Sequence, residues 1–255
     1  MLTSEQVNHY KENGFVIPDF KVPEEVLECI RSDYDKLLAL HPEFRDFCPS
    51  LLSYDMGFLE YARIPEIISM VSQVIGPDVI LWNASFFAKP ALDGKKTPWH
   101  QDGQYWPMRP LETCTVWIAI DPATSENGCM RFLPGSHKDQ KLRQHRSHGN
   151  PDFTIRQELL ESEYDDSNAF EVVLDEGQVS MHDVYLLHGS EANYSKVPRR
   201  ALTLRYMPAT SLFDRNKARE LYEKSGVFDN SESTIFLMSG TNQASGNDFR
   251  IRSKN

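Results

Sequence analysis

From Gly76 onward the chain is written in short β-branched and aromatic runs, each closed by a turn, and that punctuation restricts the architectures open to it. The runs cover residues 79–89, 112–120, 130–133, 169–174, 178–182, 184–188 and 201–207. Between them stand Asp121-Pro122, Glu126-Asn127-Gly128 and Pro134-Gly135-Ser136. Proline pre-sets φ, glycine accepts positive φ, and Asn or Asp side chains bond their own backbone, so these are turn signals. Many short strands with such turns predict a mainly β fold, a double-sheet jelly roll or similar barrel. At 255 residues one domain of this kind accounts for the whole chain.

The first 76 residues follow a helical period instead. Thr3 or Ser4 can cap a helix that runs to Asn13-Gly14, with Val7 and Tyr10 on one face. Pro23 suits the first helical position before 24–40, where Val26, Ile30, Tyr34, Leu37 and Leu38 recur at helical spacing. Pro65 opens a third helix, 66–74, closed by Gly76. Residues 137–168 form a polar excursion too long for a passive connection, expected to hold a helix at 155–162 and to cover one barrel mouth. The expected plan is one domain, 1–255: a helical N-terminal region over 1–76, a core over 77–210 with the lid-like insertion 137–168, and a tail over 211–255, loosely structured after Gly226.

Charge and cysteine usage narrow the function classes. A net charge of −10 argues against nucleic acid as a partner, which calls for a basic stripe. No apolar run approaches the roughly 20 residues that span a bilayer. The polar opening MLTSEQVNHYKENG does not read as a signal peptide. Cys29, Cys48, Cys114 and Cys129 lie far apart and read as reduced thiols of a cytoplasmic protein.

The sharpest local feature is Trp99-His100-Gln101-Asp102-Gly103. In a strand, side chains alternate with period two, so His100 and Asp102 point to the same face. A histidine from a distant strand would complete a face of two imidazoles and one carboxylate with open positions, as in non-haem Fe(II) oxygenases. His188, between the apolar run 184–187 and Gly189, is the favoured third ligand; His182, followed by Asp183, is its rival. Eleven residues beyond His188, Arg199 opens the run Arg199-Arg200-Ala201-Leu202-Thr203-Leu204-Arg205-Tyr206. A guanidinium beside such a metal would grip a carboxylate bidentately. Arg205 and Thr203 share its parity, whereas Arg200 should face solvent.

These blocks resemble the phytanoyl-CoA dioxygenase family of Fe(II)/2-oxoglutarate-dependent oxygenases. The matching residues are 99–106, Thr115-Val116-Trp117-Ile118-Ala119-Ile120, 127–137 (Asn127 to His137), His188-Gly189-Ser190 and Pro198-Arg199, in the family's order over roughly 60–208. The resemblance implies a double-stranded β-helix, a cupin-like jelly roll with the N-terminal helices packed on the barrel. It implies Fe(II) held by His100, Asp102 and His188, and a 2-oxoglutarate carboxylate held by Arg199. Ser190, Trp117, Gln101, Ser85 and Asn83 would line the co-substrate pocket. One departure stands out. Mammalian members carry a lysine before the third helix, and the segment 48–53 holds none, which leaves the co-substrate leaning on Arg199 and Ser190.

The reaction so implied consumes O₂ and 2-oxoglutarate, releases succinate and CO₂, and hydroxylates a small molecule, with desaturation or ring formation as variants. Related halogenases have a small residue at the Asp102 position, so a carboxylate there argues for oxygenation. Tyr105, Trp106, Arg131 and Arg205 are candidate substrate contacts, and an arginine there would suit an acidic substrate. Two other classes stay open: a jelly-roll metalloenzyme of different chemistry, and a catalytically idle binding module of the same fold.

Overall fold

A computed structural model describes residues 1–226 and 229–252. In chain order its elements are α1 (Ser4–Asn13), β1 (Phe15–Val16), α2 (Glu24–Leu40), β2 (Phe47–Cys48), α3 (Pro65–Ile75), β3 (Val79–Lys89), β4 (Thr97–His100), β5 (Met108–Arg109), β6 (Cys114–Ala119), β7 (Met130–Phe132), β8 (His145–Ser147), β9 (Gln157–Leu159), β10 (Phe170–Val172), β11 (Val179–Asp183), β12 (His188–Ser190), β13 (Arg199–Pro208), β14 (Leu212–Phe213), α4 (Arg215–Ser225) and β15 (Phe236–Ser239). The fold is mainly β with helices at its N-terminal end.

Two antiparallel sheets carry the molecule. The larger has the order β1-β11-β6-β13-β3-β15, with β2 also on β3; the smaller has the order β10-β7-β12-β4. Strand alternation sorts the long β13 cleanly. Leu202, Leu204 and Tyr206 face outward into a core with Leu27, Ile30 and Tyr34 of α2 and Ile67, Met70 and Val71 of α3. Ala201 faces inward, where Trp117 and Ala119 of the large sheet meet Met130, Phe132 and Val172 of the small one. Each fully buried Leu, Ile or Phe among them contributes about 1.5–3 kcal/mol.

The N-terminal helices form where the sequence puts them. Thr3 and Gln6 make a capping box, and Gly14 ends α1 at φ 82°. Three expectations need correction. The run 184–188 is not a strand: the Asp183 carboxylate accepts from Tyr185 N at 2.8 Å, Leu186 N bonds Asp183 O, and the chain turns. His188 therefore begins a strand rather than ending one. Residues 155–160 are not helical and only a 3-10 turn follows at Glu161–Glu163, because Ile155, Gln157 and Leu159 are buried with a period of two, giving strand β9 paired to β8. Leu159 packs with Trp99 and Leu187 on the outer face of the small sheet, so the excursion covers that back face rather than a barrel mouth.

The third correction concerns the tail, which is built into the fold. Strand β14 pairs with β5, Asp214 caps α4, and β15 extends the large sheet along β3. Phe213 and Ile235 anchor it by burying against Trp82, Met108 and Met207. Where the expected loose structure falls on 227–228 and 253–255, it lies outside the described residues.

Candidate metal centre

Strands β4 and β12 run antiparallel with His100 opposite His188, which brings the two rings to a 4.1 Å centroid separation. Asp102 opens the 3-10 turn just past β4 and returns to the same face as His100. One ligand atom from each of His100, Asp102 and His188 falls within 4.8 Å of the others, and all three residues are buried. His100 Nδ1 lies 2.9 Å from Pro98 O and His188 Nδ1 lies 2.9 Å from Leu186 O. A carbonyl only accepts, so each Nδ1 carries the proton and each Nε2 is left as a bare lone pair.

The carboxylate is held from the other side. Thr115 Oγ1 donates to Asp102 Oδ2 at 3.1 Å, and His182 Nε2 stands 3.5 Å from that oxygen, at the outer edge of hydrogen-bonding reach. Thr115 and His182 are register partners across β6 and β11, so one strand pair aims both at Asp102. Burial pushes the Asp102 carboxyl up, but the His182 ring and the Arg205 guanidinium outweigh it and hold it well below the usual range. Burial drives His100 down to about 4 and His188 well below its ordinary value, so both are neutral at pH 7. Two neutral imidazoles fixed by backbone carbonyls and an ionised carboxylate fit a divalent transition metal, and Fe(II) in particular.

The cleft around these residues lies between the two sheets. Arg199 and Trp117 line it together, the guanidinium 5.3 Å over the indole ring. Arg199 is 3% exposed, its Nε has no partner, and burial lowers its pKa to about 10. Ser190 and Arg205 also line the cleft. Ser85 and Asn83 act one step back: their oxygens accept from Arg205 Nη1 at 2.5 and 2.9 Å. Trp106 also bears on Arg205, whose guanidinium lies 5.3 Å over its ring.

Three expected site residues are elsewhere. Gln101 alternates to the back of β4, where its amide donates to Lys141 O and Tyr185 O and accepts from Arg143 N. It ties down the excursion and does not line the cleft. Arg131 is outward on β7, paired with Asp166 and Glu191 and lying over Trp99. Tyr105 points toward Ser147 at the edge, 3.4 Å away. Conversely, Thr115 and Thr203 join the cleft, and only their parity with Trp117 and Arg199 marks them in sequence.

No helix among the described residues is long and apolar enough to cross a membrane. The profile of the family described as Phytanoyl-CoA dioxygenase (PhyH) matches residues 10–201. Human peroxisomal phytanoyl-CoA dioxygenase is 26% identical over 238 residues, covering 82% of this chain and 69% of that protein. In structure, the apo non-heme monooxygenase ThoJ matches with a TM-score of 0.76 at 22% identity, over 98% of this chain and 88% of that one. EvdO2 from Micromonospora carbonacea var. aurantiaca, complexed with 2-oxoglutarate, matches with a TM-score of 0.69 at 22% identity, over 82% and 91%. At such identities the structural likeness carries the fold, while the sequence match carries the lineage. The chain belongs to the phytanoyl-CoA dioxygenase family and is an Fe(II)- and 2-oxoglutarate-dependent oxygenase.

Proposed function

We propose that this enzyme hydroxylates a small molecule, with His100 Nε2, Asp102 and His188 Nε2 as the iron ligands and Arg199 as the anchor of the 2-oxoglutarate far carboxylate. The observation that carries the reading is one cleft holding both the three convergent donors and a buried guanidinium that makes no ion pair among the described residues. When bound, iron and 2-oxoglutarate supply O₂ activation with release of succinate and CO₂. The chain's own contribution is orientation and exclusion of water. Pro98 O and Leu186 O set the two imidazole planes, Thr115 holds the carboxylate, and Trp117 supports the clamp. Phe132, fully buried, packs beside the rings of His182 and His188.

The strand order supports a double-stranded β-helix. Large and small sheets exchange strands along the chain as β3, β4, β6, β7, then β10, β11, β12, β13, and each sheet's central four strands are antiparallel throughout. A cytoplasmic location goes with thiols left reduced at Cys29, Cys114 and Cys129. The test is succinate release from 2-oxoglutarate with Fe(II) and O₂ in the absence of added substrate. Slow release that disappears in Asp102→Ala supports the reading. Release that persists in Asp102→Ala, or none from metal-loaded wild type, counts against it.

A further inference from the structure

Several part-buried arginines here carry carboxylate partners, while Arg215 is satisfied by the backbone carbonyls of Ser231, Ser233 and Asp248. Arg200 bonds Asp121 through two guanidinium nitrogens at 2.8 Å, Arg31 reaches Glu24, Glu28 and Glu176, and Arg252 reaches Asp248 and Glu232. Arg199 and Arg205 are the two buried arginines among the described residues, 3% and 7% exposed, and neither makes an ion pair there. Asp102 is the one carboxylate near Arg205 and makes no ion pair with it, and two buried guanidiniums against one carboxylate favour anions from outside. The far carboxylate of 2-oxoglutarate answers to Arg199 alone. Both arginines lie on the inward face of β13, six residues apart and so roughly 20 Å from Cα to Cα.

The Arg205 side chain is held in one pose. Its Nη1 donates to Asn83 Oδ1 at 2.9 Å, Ser85 Oγ at 2.5 Å and Thr203 Oγ1 at 3.4 Å. Its guanidinium carbon lies 5.3 Å from the Trp106 ring centre and 5.8 Å from that of Phe87. The Nε has no partner, and Nη2 makes no hydrogen bond among the described residues. Nε and Nη2 form the side edge of the fork, the edge that takes a carboxylate or phosphonate through two parallel bonds. Asp102 does not fill that role, since its Oδ2 takes Thr115 and faces His182 while its Oδ1 lies on the His100 side.

Charge balance agrees. The ionised side chains lining the cleft are one carboxylate, Asp102, and two guanidiniums, Arg199 and Arg205. Adding a divalent iron and doubly charged 2-oxoglutarate leaves one positive charge uncompensated. We infer that the oxidised substrate is an anion, a carboxylate or a phosphonate, whose charged group docks on the Nε–Nη2 edge of Arg205. This rests on the functional reading above, in which Arg199 is occupied by the co-substrate.

The experiment is an anaerobic titration of the Co(II)-loaded protein, with and without saturating 2-oxoglutarate, using acetate, methylphosphonate and inorganic phosphate, with acetamide as the neutral control. Binding is read from the Co(II) visible spectrum and by calorimetry. Wild type is expected to take up an anion in the presence of 2-oxoglutarate and to ignore acetamide. Arg205→Met should weaken the anion at least tenfold more than it weakens 2-oxoglutarate, and Arg205→Lys should keep the preference for anion over amide with lower affinity. Arg199→Met should show the reverse asymmetry. The inference is overturned if loaded wild type binds no anion, if acetamide binds as well as acetate, or if Arg205→Met leaves anion affinity intact. The wild-type comparison of acetate with acetamide decides the matter even if a variant fails to fold. If 2-oxoglutarate itself does not bind the metal-loaded protein, the functional reading fails, and anion uptake through Arg205 is still measured in the arm without it.

Discussion

Replacing Arg199 by methionine should separate binding from stability in a way few substitutions do. The guanidinium is 3% exposed, and burial lowers its pKa to about 10 from 12.5. Holding that charge in the co-substrate-free protein therefore costs folding about 3 kcal/mol. Methionine removes this cost but forfeits the contact with Trp117, worth about 1–2 kcal/mol when desolvated. The net effect on the free protein is about 1–2 kcal/mol stabilising. At about 2–4 °C per kcal/mol for a chain of this size, Tm should rise by several degrees. For 2-oxoglutarate the sign reverses. Removing one member of a buried ion pair costs about 3–5 kcal/mol, an affinity loss of about 150- to 4,000-fold. Differential scanning fluorimetry and calorimetric titration of 2-oxoglutarate into the Co(II) form measure the two effects side by side. A 2-oxoglutarate Kd within threefold of wild type would refute the clamp. A drop in Tm as large as the binding loss would make Arg199 a structural residue.

Other outcomes follow from the same geometry. Thr115→Val keeps shape but removes the donor to Asp102 Oδ2, so metal affinity measured by chelator competition should fall about 10- to 100-fold with Tm little changed. The metal-free protein should lose stability on acidification. His100 titrates at about 4 in the fold against 6.5 for a free imidazole, so the unfolded chain takes up its proton first as pH drops through 6.5. The loss, about 3 kcal/mol from His100, should be complete near pH 4, and His188 acts in the same direction; urea midpoints that stay flat over this window would contradict it. Gly128→Ala meets a backbone at φ 79° with its Cβ 2.4 Å from Glu191 O. Left-handed strain alone costs about 1–2 kcal/mol, so denaturant midpoints should fall by at least that equivalent.

Local signals carried much of this structure in the sequence. Capping residues and helical spacing mark α1, α2 and α3 to within a residue or two, because Thr3, Pro23, Pro65 and Gly14 act on their own backbone. Period two identifies the inward face of β13, and with it Arg199, Thr203 and Arg205. What stayed hidden depends on partners distant in sequence. The run 184–187 has the apolar composition of a strand, but the Asp183 side chain turns the chain there, and Val184, Leu186 and Leu187 are buried in a crossing between sheets. Gln101 sits inside the densest motif yet faces the opposite side, which the alternation that pairs His100 with Asp102 already requires. Arg131 carries its own counter-charges from Asp166 and Glu191, and nothing in its neighbourhood along the chain announces them. His182, the rival ligand by its place in the sequence, instead flanks Asp102 from β11.

In the proposed site, one cleft holds iron through His100, Asp102 and His188 and 2-oxoglutarate through Arg199. Anaerobic addition of Fe(II) and then 2-oxoglutarate tests it most directly, because chelation of the keto acid to ferrous iron gives a visible charge-transfer band. The band should appear with wild type, saturate at one equivalent of iron, fail to form in Asp102→Ala, and require far more 2-oxoglutarate in Arg199→Met. A wild-type protein that binds Fe(II) and 2-oxoglutarate without the band, or a band unchanged in both variants, would rule out this site.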